Sequence, residues 1–257
     1  MTTRRVLDDE QLAELLRLTK VADTVELKLT IPDTDMRSVG DLLGMDPLDA
    51  QIRQIIFFDT PELSLQAAGV VVRARRIQGG AGDTVVKLRP VTPEIVGTLS
   101  GASVEVDAMP GGFVCSASVK GKSTADDVRK VVRRKAKLGE ILSKAQKEFY
   151  RGHAPEGLRL SDLSVLGPIN IFKLKFEPRG LERAMVAELW FYPNGTRVLE
   201  LSTKCPPADI FRVAAETRTY LTDRGVDVTG EQQTKTKTAL THFAKALVAA
   251  QAEPAGV

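Results

Sequence analysis

The chain has 257 residues, of which 43% are hydrophobic and 27% are charged. Its 36 basic residues exceed its 33 acidic residues by a net charge of +3, which is too small to indicate nucleic-acid binding by itself. Two widely spaced cysteines indicate reduced thiols, and two histidines exclude a histidine-rich zinc site. No apolar run has transmembrane length and no signal peptide is recognisable, so we expect a cytoplasmic protein.

The amino-terminal half predicts one helix followed by short strands. Asp8 or Asp9 can cap a helix whose leucines recur at helical spacing. Strands are expected at 24–31, 51–59, 70–77, 83–91, 102–109 and 113–119. The glycine-rich run 78–82 joins two of these strands, and it is typical of a hairpin tip. A phosphate-binding loop is the weaker interpretation, because no helix follows the glycines.

The carboxy-terminal half predicts a long helix and three more strands. The segment SVKGKST at 118–124 is not a P-loop, because Ser116 stands where that motif requires glycine. Ser123 or Thr124 is expected to cap a helix that runs to about residue 150. The bases of this helix lack interleaved aromatic residues, which favours a solvated face over a nucleic-acid site. Strands are expected at 169–177, 185–192 and 197–204, followed by helices at 207–224 and 231–250.

Charged and aliphatic residues alternate along strand after strand, for example in VELK at 25–28, VVVRAR at 70–75 and VKLR at 86–89. Because successive side chains of a strand point to opposite faces, each strand gathers its charges on one face. The repetition predicts a closed sheet with a charged lumen, covered outside by helices. Burying so many charges without a ligand is costly, so the lumen is expected to hold a polyanion with metal ions. In the alternative interpretation these charges pair with one another on a wet face of the barrel.

Guanidinium and ammonium groups on these faces suit phosphate. The expected phosphate-binding residues are Arg73, Arg75, Lys87, Arg89, Lys173, Lys175, Lys204 and Lys235, with Lys237 as an alternative to Lys235. Mg²⁺ or Mn²⁺ prefers oxygen ligands, and the expected metal ligands are Glu26, Glu105, Asp107, Glu188 and Glu200.

Five stretches, in this order along the chain, resemble the CYTH, or triphosphate tunnel metalloenzyme, superfamily. TVELK at 24–28 is similar to the family's Glu-x-Glu-x-Lys signature, and FFDTP at 57–61 precedes an Arg-x-Arg strand. The dyads at 87–89, 105–107 and 200–202 fall where further tunnel strands are expected. The resemblance spans roughly 24–238 and implies an α+β fold, a closed antiparallel eight-stranded barrel with helices outside. We expect an N-terminal helix in 1–22, one tunnel domain at 23–250 with a helical insertion at 124–167, and a frayed tail at 251–257.

The resemblance implies metal-dependent hydrolysis of inorganic triphosphate, thiamine triphosphate or a nucleotide, with Glu26, Lys28 and Glu200 as the expected catalytic residues. Thr24 and Ser202 depart from the family pattern, since each places a hydroxyl where a carboxylate is expected. One alternative is therefore a non-catalytic module that binds triphosphate or polyphosphate. Another is a class IV type of adenylate cyclase, because the resemblance extends to cyclases that share this tunnel. The sequence shows no adenine pocket. A small-molecule triphosphate is the expected partner, nucleic acid and membrane are not expected, and the oligomeric state is open.

Overall fold

The computed structural model describes residues 8–229, 232 and 235–252. The strands in this part of the chain are β1 (Thr24–Ile31), β2 (Gln51–Asp59), β3 (Val70–Ile77), β4 (Ala81–Leu88), β5 (Ser103–Met109), β6 (Gly112–Thr124), β7 (Ser164–Phe176), β8 (Met185–Phe191) and β9 (Arg197–Cys205). The helices are α1 (Asp9–Leu18), α2 (Met36–Leu42), α3 (Ser64–Ala67), α4 (Pro93–Val96), α5 (Ala125–Val132), α6 (Leu138–Ile141), α7 (Lys144–His153), α8 (Ile210–Asp223) and α9 (Lys235–Ala252). None of the described helices is both long enough and apolar enough to cross a membrane.

The described strands form a closed barrel in the hydrogen-bonded order β1-β5-β6-β4-β3-β2-β7-β8-β9. The α+β class and the closed barrel with helices outside are confirmed, although the barrel has nine strands rather than eight. It is also mixed rather than purely antiparallel, because β1 and β5 pair in parallel. A parallel pair needs a long connection, and here three other strands lie between β1 and β5 in the sequence.

The chain divides into two compact units. The first contains the described residues up to Gln51, the segment 90–117 and the stretch from Phe172 to residue 232. The second contains 52–89, 118–171 and α9.

The first unit has a core built on the aliphatic faces of β1 and β9. Leu29 of β1 and Leu201 of β9 are buried in one cluster with Val39 of α2 and Leu221 of α8. Each fully buried leucine or valine contributes roughly 1.5–3 kcal/mol. Because side chains alternate along a strand, this packing directs Glu26 and Lys28 of β1, with Glu200 and Lys204 of β9, to the opposite face.

The second unit is built around the β3–β4 hairpin, against which α5 and α7 pack. Before it, the FFDTP turn is organised by the buried carboxylate of Asp59. Its Oδ1 accepts from the backbone N–H groups of Thr60 and Leu65 at 2.7 and 2.8 Å, and its Oδ2 accepts from that of Gln66 at 3.0 Å. Asp59 therefore ties the end of β2 to the start of α3.

The single helix expected from 124 to 150 is wrong. Thr124 caps α5, as predicted, but α5 ends at Val132 and the chain then forms α6 and α7. Arg134 takes a left-handed conformation with φ +57°, which ends the helix. Ser143 begins α7 with a capping box to Gln146.

The other expected boundaries agree within a few residues, apart from the longer β6 and β7. Asp8, rather than Asp9, caps α1. The start of the last helix at 231 and the tail from 253 onward lie outside the described residues, and α9 extends to Ala252.

Candidate functional site

Three strands of the first unit bring charged residues together on one face. In the parallel β1–β5 pair, Thr24 lies opposite Glu105 and Glu26 lies opposite Asp107. In the antiparallel β1–β9 pair, Glu26 lies opposite Lys204. Alternation keeps these side chains on the face opposite the aliphatic core. We call Glu26, Glu105 and Asp107 the acid cluster.

Two lysines bind the acid cluster directly. The Nζ of Lys28 lies 2.8 Å from Oδ1 of Asp107 and 3.3 Å from Oε2 of Glu26. The Nζ of Lys204 forms an ion pair with Glu105 and lies 3.8 Å from Oε2 of Glu26. The side chain of Asp107 is fully buried, whereas that of Lys204 is 52% exposed. The Lys28–Asp107 pair is therefore the shielded part of the site.

The protonation of both lysines follows from these contacts. Burial opposes the charged form of Lys28, but the negative charges of Asp107 and Glu26 outweigh it, so the pKa of Lys28 is raised. Burial also opposes the charged form of Lys204, and the charges of Glu26 and Glu105 again raise its pKa. Both side chains are therefore cationic at neutral pH, where they donate hydrogen bonds to anionic oxygens.

The acid cluster has the composition of a site for a hard divalent cation. One carboxylate oxygen from each of Glu26, Glu105 and Asp107 lies within 4.8 Å of the others. Mg²⁺ and Mn²⁺ prefer oxygen ligands and retain waters when bound. Three carboxylates beside two ammonium groups leave one net negative charge. The residues present therefore fit a divalent cation.

Glu188 and Glu200, on β8 and β9, are not part of the acid cluster, although the charge of Glu200 contributes to the raised pKa of Lys28. They are opposite each other in the β8–β9 pair, and Glu200 is also opposite Thr30 of β1. The Nζ of Lys173 lies 3.2 Å from Oε1 of Glu188, whose Oε2 accepts from Trp190 Nε1 at 3.4 Å. Among the described residues, the group of acids close enough to share one ion does not include either glutamate.

Tyr192 is a neighbour of Glu200 that the sequence did not single out. Burial raises the pKa of the Tyr192 hydroxyl, and the charge of Glu200 raises it further. Tyr192 stacks on Trp190 with ring centroids 6.4 Å apart. Both aromatic residues follow Glu188 at intervals of two along the chain, so strand periodicity was the signal that could have indicated them.

The second unit contains the predicted arginine strand. Arg73 lies opposite Phe57 of β2 and Val85 of β4, and Arg75 lies opposite Asp83. Asp83 binds Arg75 in a bidentate pair, with Nε donating at 2.8 and 3.0 Å and Nη2 at 2.6 Å. Asp83 was not among the expected site residues, although the register of a hairpin closing at 78–80 places it opposite Arg75.

Of the two cations expected in this hairpin, Lys87 lies in β4 and Arg89 lies directly after it, where the backbone of Gly69 positions it. Lys87 lies opposite Val71, so it shares a sheet face with Arg73 and Arg75. The Arg89 N–H donates to the Gly69 carbonyl at 2.8 Å. Gly69 has φ +73°, and a Cβ there would lie 2.9 Å from the Arg89 carbonyl oxygen, so this contact requires glycine.

Two predicted cations lie on other elements. Lys175 is exposed near the end of β7, and Lys235 is the first residue of α9.

The fold is similar to those of two solved structures. One is "putative adenylyl cyclase HpAC1" from Hippeastrum, which has a dominant triphosphatase activity; it is 16% identical with a TM-score of 0.64, over 84% of this chain and 95% of that chain. The other is a "putative adenylate cyclase" from Bacillus halodurans, 10% identical with a TM-score of 0.59, over 84% of this chain and 97% of that chain. No protein-family model matches the chain, and neither does any curated protein sequence.

At these identities the similarity is one of fold. It agrees with the resemblance on which the barrel was predicted, since the match extends over most of both chains. The chain therefore has the closed-barrel fold expected from its resemblance to the CYTH superfamily.

Proposed function

We propose that this protein is a metal-dependent hydrolase of a small triphosphate-bearing substrate. The observation that carries the proposal is the acid cluster with Lys28 and Lys204 beside it. Such a site combines oxygen ligands for a cation with ammonium donors for phosphate oxygens. The dominant triphosphatase activity of the Hippeastrum protein supports the assignment, because its fold is similar.

The proposed roles follow from burial and charge. Lys28 and Lys204 donate hydrogen bonds to phosphate oxygens, because both stay protonated at neutral pH. Glu200 accepts the proton of the attacking water, since it is a buried carboxylate outside the acid cluster. Water adds to the terminal phosphorus, the phosphoanhydride bond breaks, and the remaining phosphates leave.

The acid cluster would hold the divalent cation, with Mg²⁺ or Mn²⁺ as the proposed ions. A bound cation supplies neutralisation of the phosphate charge and a positioned water. The phosphate-binding roles of Arg73, Arg75, Lys87, Arg89, Lys173, Lys175 and Lys235 and the metal-binding roles of Glu188 and Glu200 remain predictions. A cytoplasmic location is likewise proposed from the sequence alone.

A binding module without catalysis is the second candidate. The observation that favours it is that Lys28 and Lys204 already form ion pairs with all three acids of the acid cluster. Thr24 and Ser202 also favour a binding module, because a hydroxyl is a poorer metal ligand than the carboxylate expected at each position. Such a module would bind triphosphate or polyphosphate without turning it over.

The test is a panel of inorganic triphosphate, thiamine triphosphate and ATP with Mg²⁺ or Mn²⁺, in which phosphate and cyclic AMP are both measured. Phosphate release that stops on chelation supports the hydrolase, and cyclic AMP production supports the cyclase. Binding of an inert triphosphate that survives chelation, with no product from any substrate, supports the module. That last result would overturn the proposal.

The double variant Thr24→Glu/Ser202→Glu separates a degenerate site from a working one. Thr24 lies opposite Glu105, and Ser202 lies opposite Lys28, so both new carboxylates join the charged face. A binding module is expected to gain Mn²⁺ affinity in this variant. A working hydrolase is expected to gain little or to bind substrate more weakly, because the added negative charge repels the phosphates. The exposed Thr219→Glu variant is the control.

A further inference from the structure

A small cavity in the second unit lies outside the residues proposed for hydrolysis. It has a volume of about 220 Å³ and is lined by Gln54, Arg76, Arg129 and Arg133, with the apolar Ile56 and Val132. These residues come from β2, β3, α5 and the cap of α5. Arg129 and Arg133 are four residues apart, which places them on one side of that helical segment. We call this cavity the arginine pocket.

Arg76 is held in the arginine pocket by neutral groups. Its Nη1 donates to Oε1 of Gln54 at 2.6 Å, and its Nε donates to the carbonyl of Ala125 at 3.2 Å. Gln54 is itself fixed, because its Nε2 donates to Oδ1 of Asn170 at 3.0 Å. The guanidinium is therefore oriented before any ligand arrives, and its charge is not neutralised by these partners.

The positive charge of the pocket exceeds the acid that contacts it. Asp126 forms an ion pair with Arg129, and it also binds Lys130 at 2.9 Å. Within the described part of the chain, neither Arg76 nor Arg133 forms an ion pair. Arg129 and Arg133 are exposed and Arg76 is half-buried, so the cavity opens at the surface with two guanidinium groups beside it, Arg76 and Arg133, that no acid of the described residues neutralises. An anion is attracted to these groups, and the attraction weakens with salt.

The size and chemistry of the cavity restrict which class of ligand it can bind. Pockets for drug-sized molecules measure about 300–1,000 Å³ and are mostly apolar. The arginine pocket is smaller, and its polar lining consists of planar guanidinium donors and one amide. Guanidinium groups match oxyanions through paired, coplanar N–H donors. A compact phosphate ion fits these conditions better than a nucleotide or an apolar metabolite.

We propose that the arginine pocket is a binding site for inorganic phosphate or pyrophosphate. The basic run of α5 and its cap, expected from the sequence to be a solvated face, is exposed and contributes two of the three arginines. The inference does not depend on the proposed hydrolase activity, because it uses none of the residues of that site.

The test is a titration of the full chain with pyrophosphate and with phosphate at constant ionic strength in EDTA, followed by backbone amide NMR. Signals of 129–133 and of Gln54 and Arg76 are expected to shift in a saturable manner. The double variant Arg129→Ala/Arg133→Ala is expected to weaken this binding by at least about tenfold, since charge-assisted hydrogen bonds are lost. The control Lys135→Ala/Lys137→Ala removes the same charge from exposed positions outside the pocket.

Retention of affinity within about twofold in the lysine control, together with the loss in the arginine variant, would support the site. The absence of saturable shifts at these amides in the unmodified chain would overturn it. Equal weakening in the two double variants would also overturn it, because that result is expected from diffuse attraction by a basic surface. Thermal unfolding of each variant checks that the fold is retained.

Discussion

At the scale of single residues, Lys28 and Asp107 are the pair on which the candidate site depends. The Asp107 side chain is fully buried and lies 2.8 Å from the Lys28 ammonium, whose side chain is 19% exposed. A buried carboxylate is costly unless a cation and hydrogen bonds compensate it. The pair therefore keeps the carboxylate of Asp107, a proposed metal ligand, beside the ammonium group of Lys28, a proposed donor to phosphate.

Replacing Lys28 with methionine removes this compensation while keeping most of the side-chain volume. Lys28→Met is expected to lower the free energy of unfolding at pH 7 by roughly 3–5 kcal/mol, as for other broken buried pairs. Lys204→Met is the matched control, because the Lys204 side chain is half exposed and such pairs contribute less than about 1 kcal/mol. Urea denaturation measures both changes. Equal losses of unfolding free energy in the two variants would show that Lys28 does not compensate a buried charge on Asp107.

Asp59 has a structural role in the stretch with the strongest sequence signature. Burial raises the pKa of its carboxyl, although three backbone N–H groups oppose that shift. Asp59→Asn replaces one acceptor oxygen with an NH₂ group that faces backbone donors. We expect a loss of about 1–3 kcal/mol in the free energy of unfolding.

Glu62→Gln in the same turn serves as the control for Asp59→Asn, because Glu62 is exposed. It makes the same chemical change away from the backbone donors, so the free energy of unfolding is expected to change by less than about 0.5 kcal/mol. If guanidinium denaturation gives similar midpoints for both variants, Asp59 does not stabilise the turn as described.

At the scale of elements, the sequence predicted strands better than helices. The bounds of β1, β2 and β3 match the expected ranges, since alternation and turn residues mark both ends. The break between α5 and α6 was not predictable in this way. Its turn contains neither glycine, proline nor asparagine, and Arg134 adopts its left-handed conformation without a sequence signal.

Arg134→Gly tests that break. Glycine adopts positive φ without strain, so this variant is expected to be as stable as the natural protein or up to about 1 kcal/mol more stable. Lys130→Gly lies within α5 and is expected to cost about 1 kcal/mol, as glycine does in a helix interior. Thermal unfolding compares the two. A similar loss in both variants would mean that the helix continues through Arg134.

Tyr150 of α7 is expected to make the free energy of unfolding depend on pH in the alkaline range. Burial raises the pKa of the Tyr150 hydroxyl from 10.0 to about 12, and nearby Asp162 and Asp59 add to the shift. Between these values the folded protein retains a proton that the unfolded chain releases. The free energy of unfolding is therefore expected to fall as the pH rises from about 10 to about 12.

Tyr150→Phe is expected to make this decline shallower in denaturation curves measured between pH 9 and pH 12. The pKa of Lys28 is also raised in the folded protein, and its titration likewise lowers the free energy of unfolding as the pH rises. Tyr150→Phe therefore reduces the decline but does not abolish it. A slope identical to that of the natural protein would show that Tyr150 does not titrate in this way.

At the scale of the whole molecule, the sequence indicated which residues share a face but not which strands are neighbours. Alternation alone placed Glu26 with Lys28 and Glu105 with Asp107. The acid cluster depends on the parallel β1–β5 register, which joins residues about 80 positions apart. Local patterns do not encode such a register, because it is fixed by packing of the aliphatic faces. For the same reason the sequence did not separate Glu188 and Glu200 from the acid cluster.

The most direct test of the proposed function is the rate of phosphate release from inorganic triphosphate by the natural chain and by Glu105→Gln. With Mn²⁺ or Mg²⁺ we expect turnover that chelation abolishes, and a loss of at least about 100-fold in kcat/KM for Glu105→Gln. Glu177→Gln, at an exposed acid just beyond β7, is expected to keep the natural rate. Turnover that is unaffected by chelation, or that Glu105→Gln retains, would contradict the assignment of the acid cluster as the metal site of a triphosphate hydrolase.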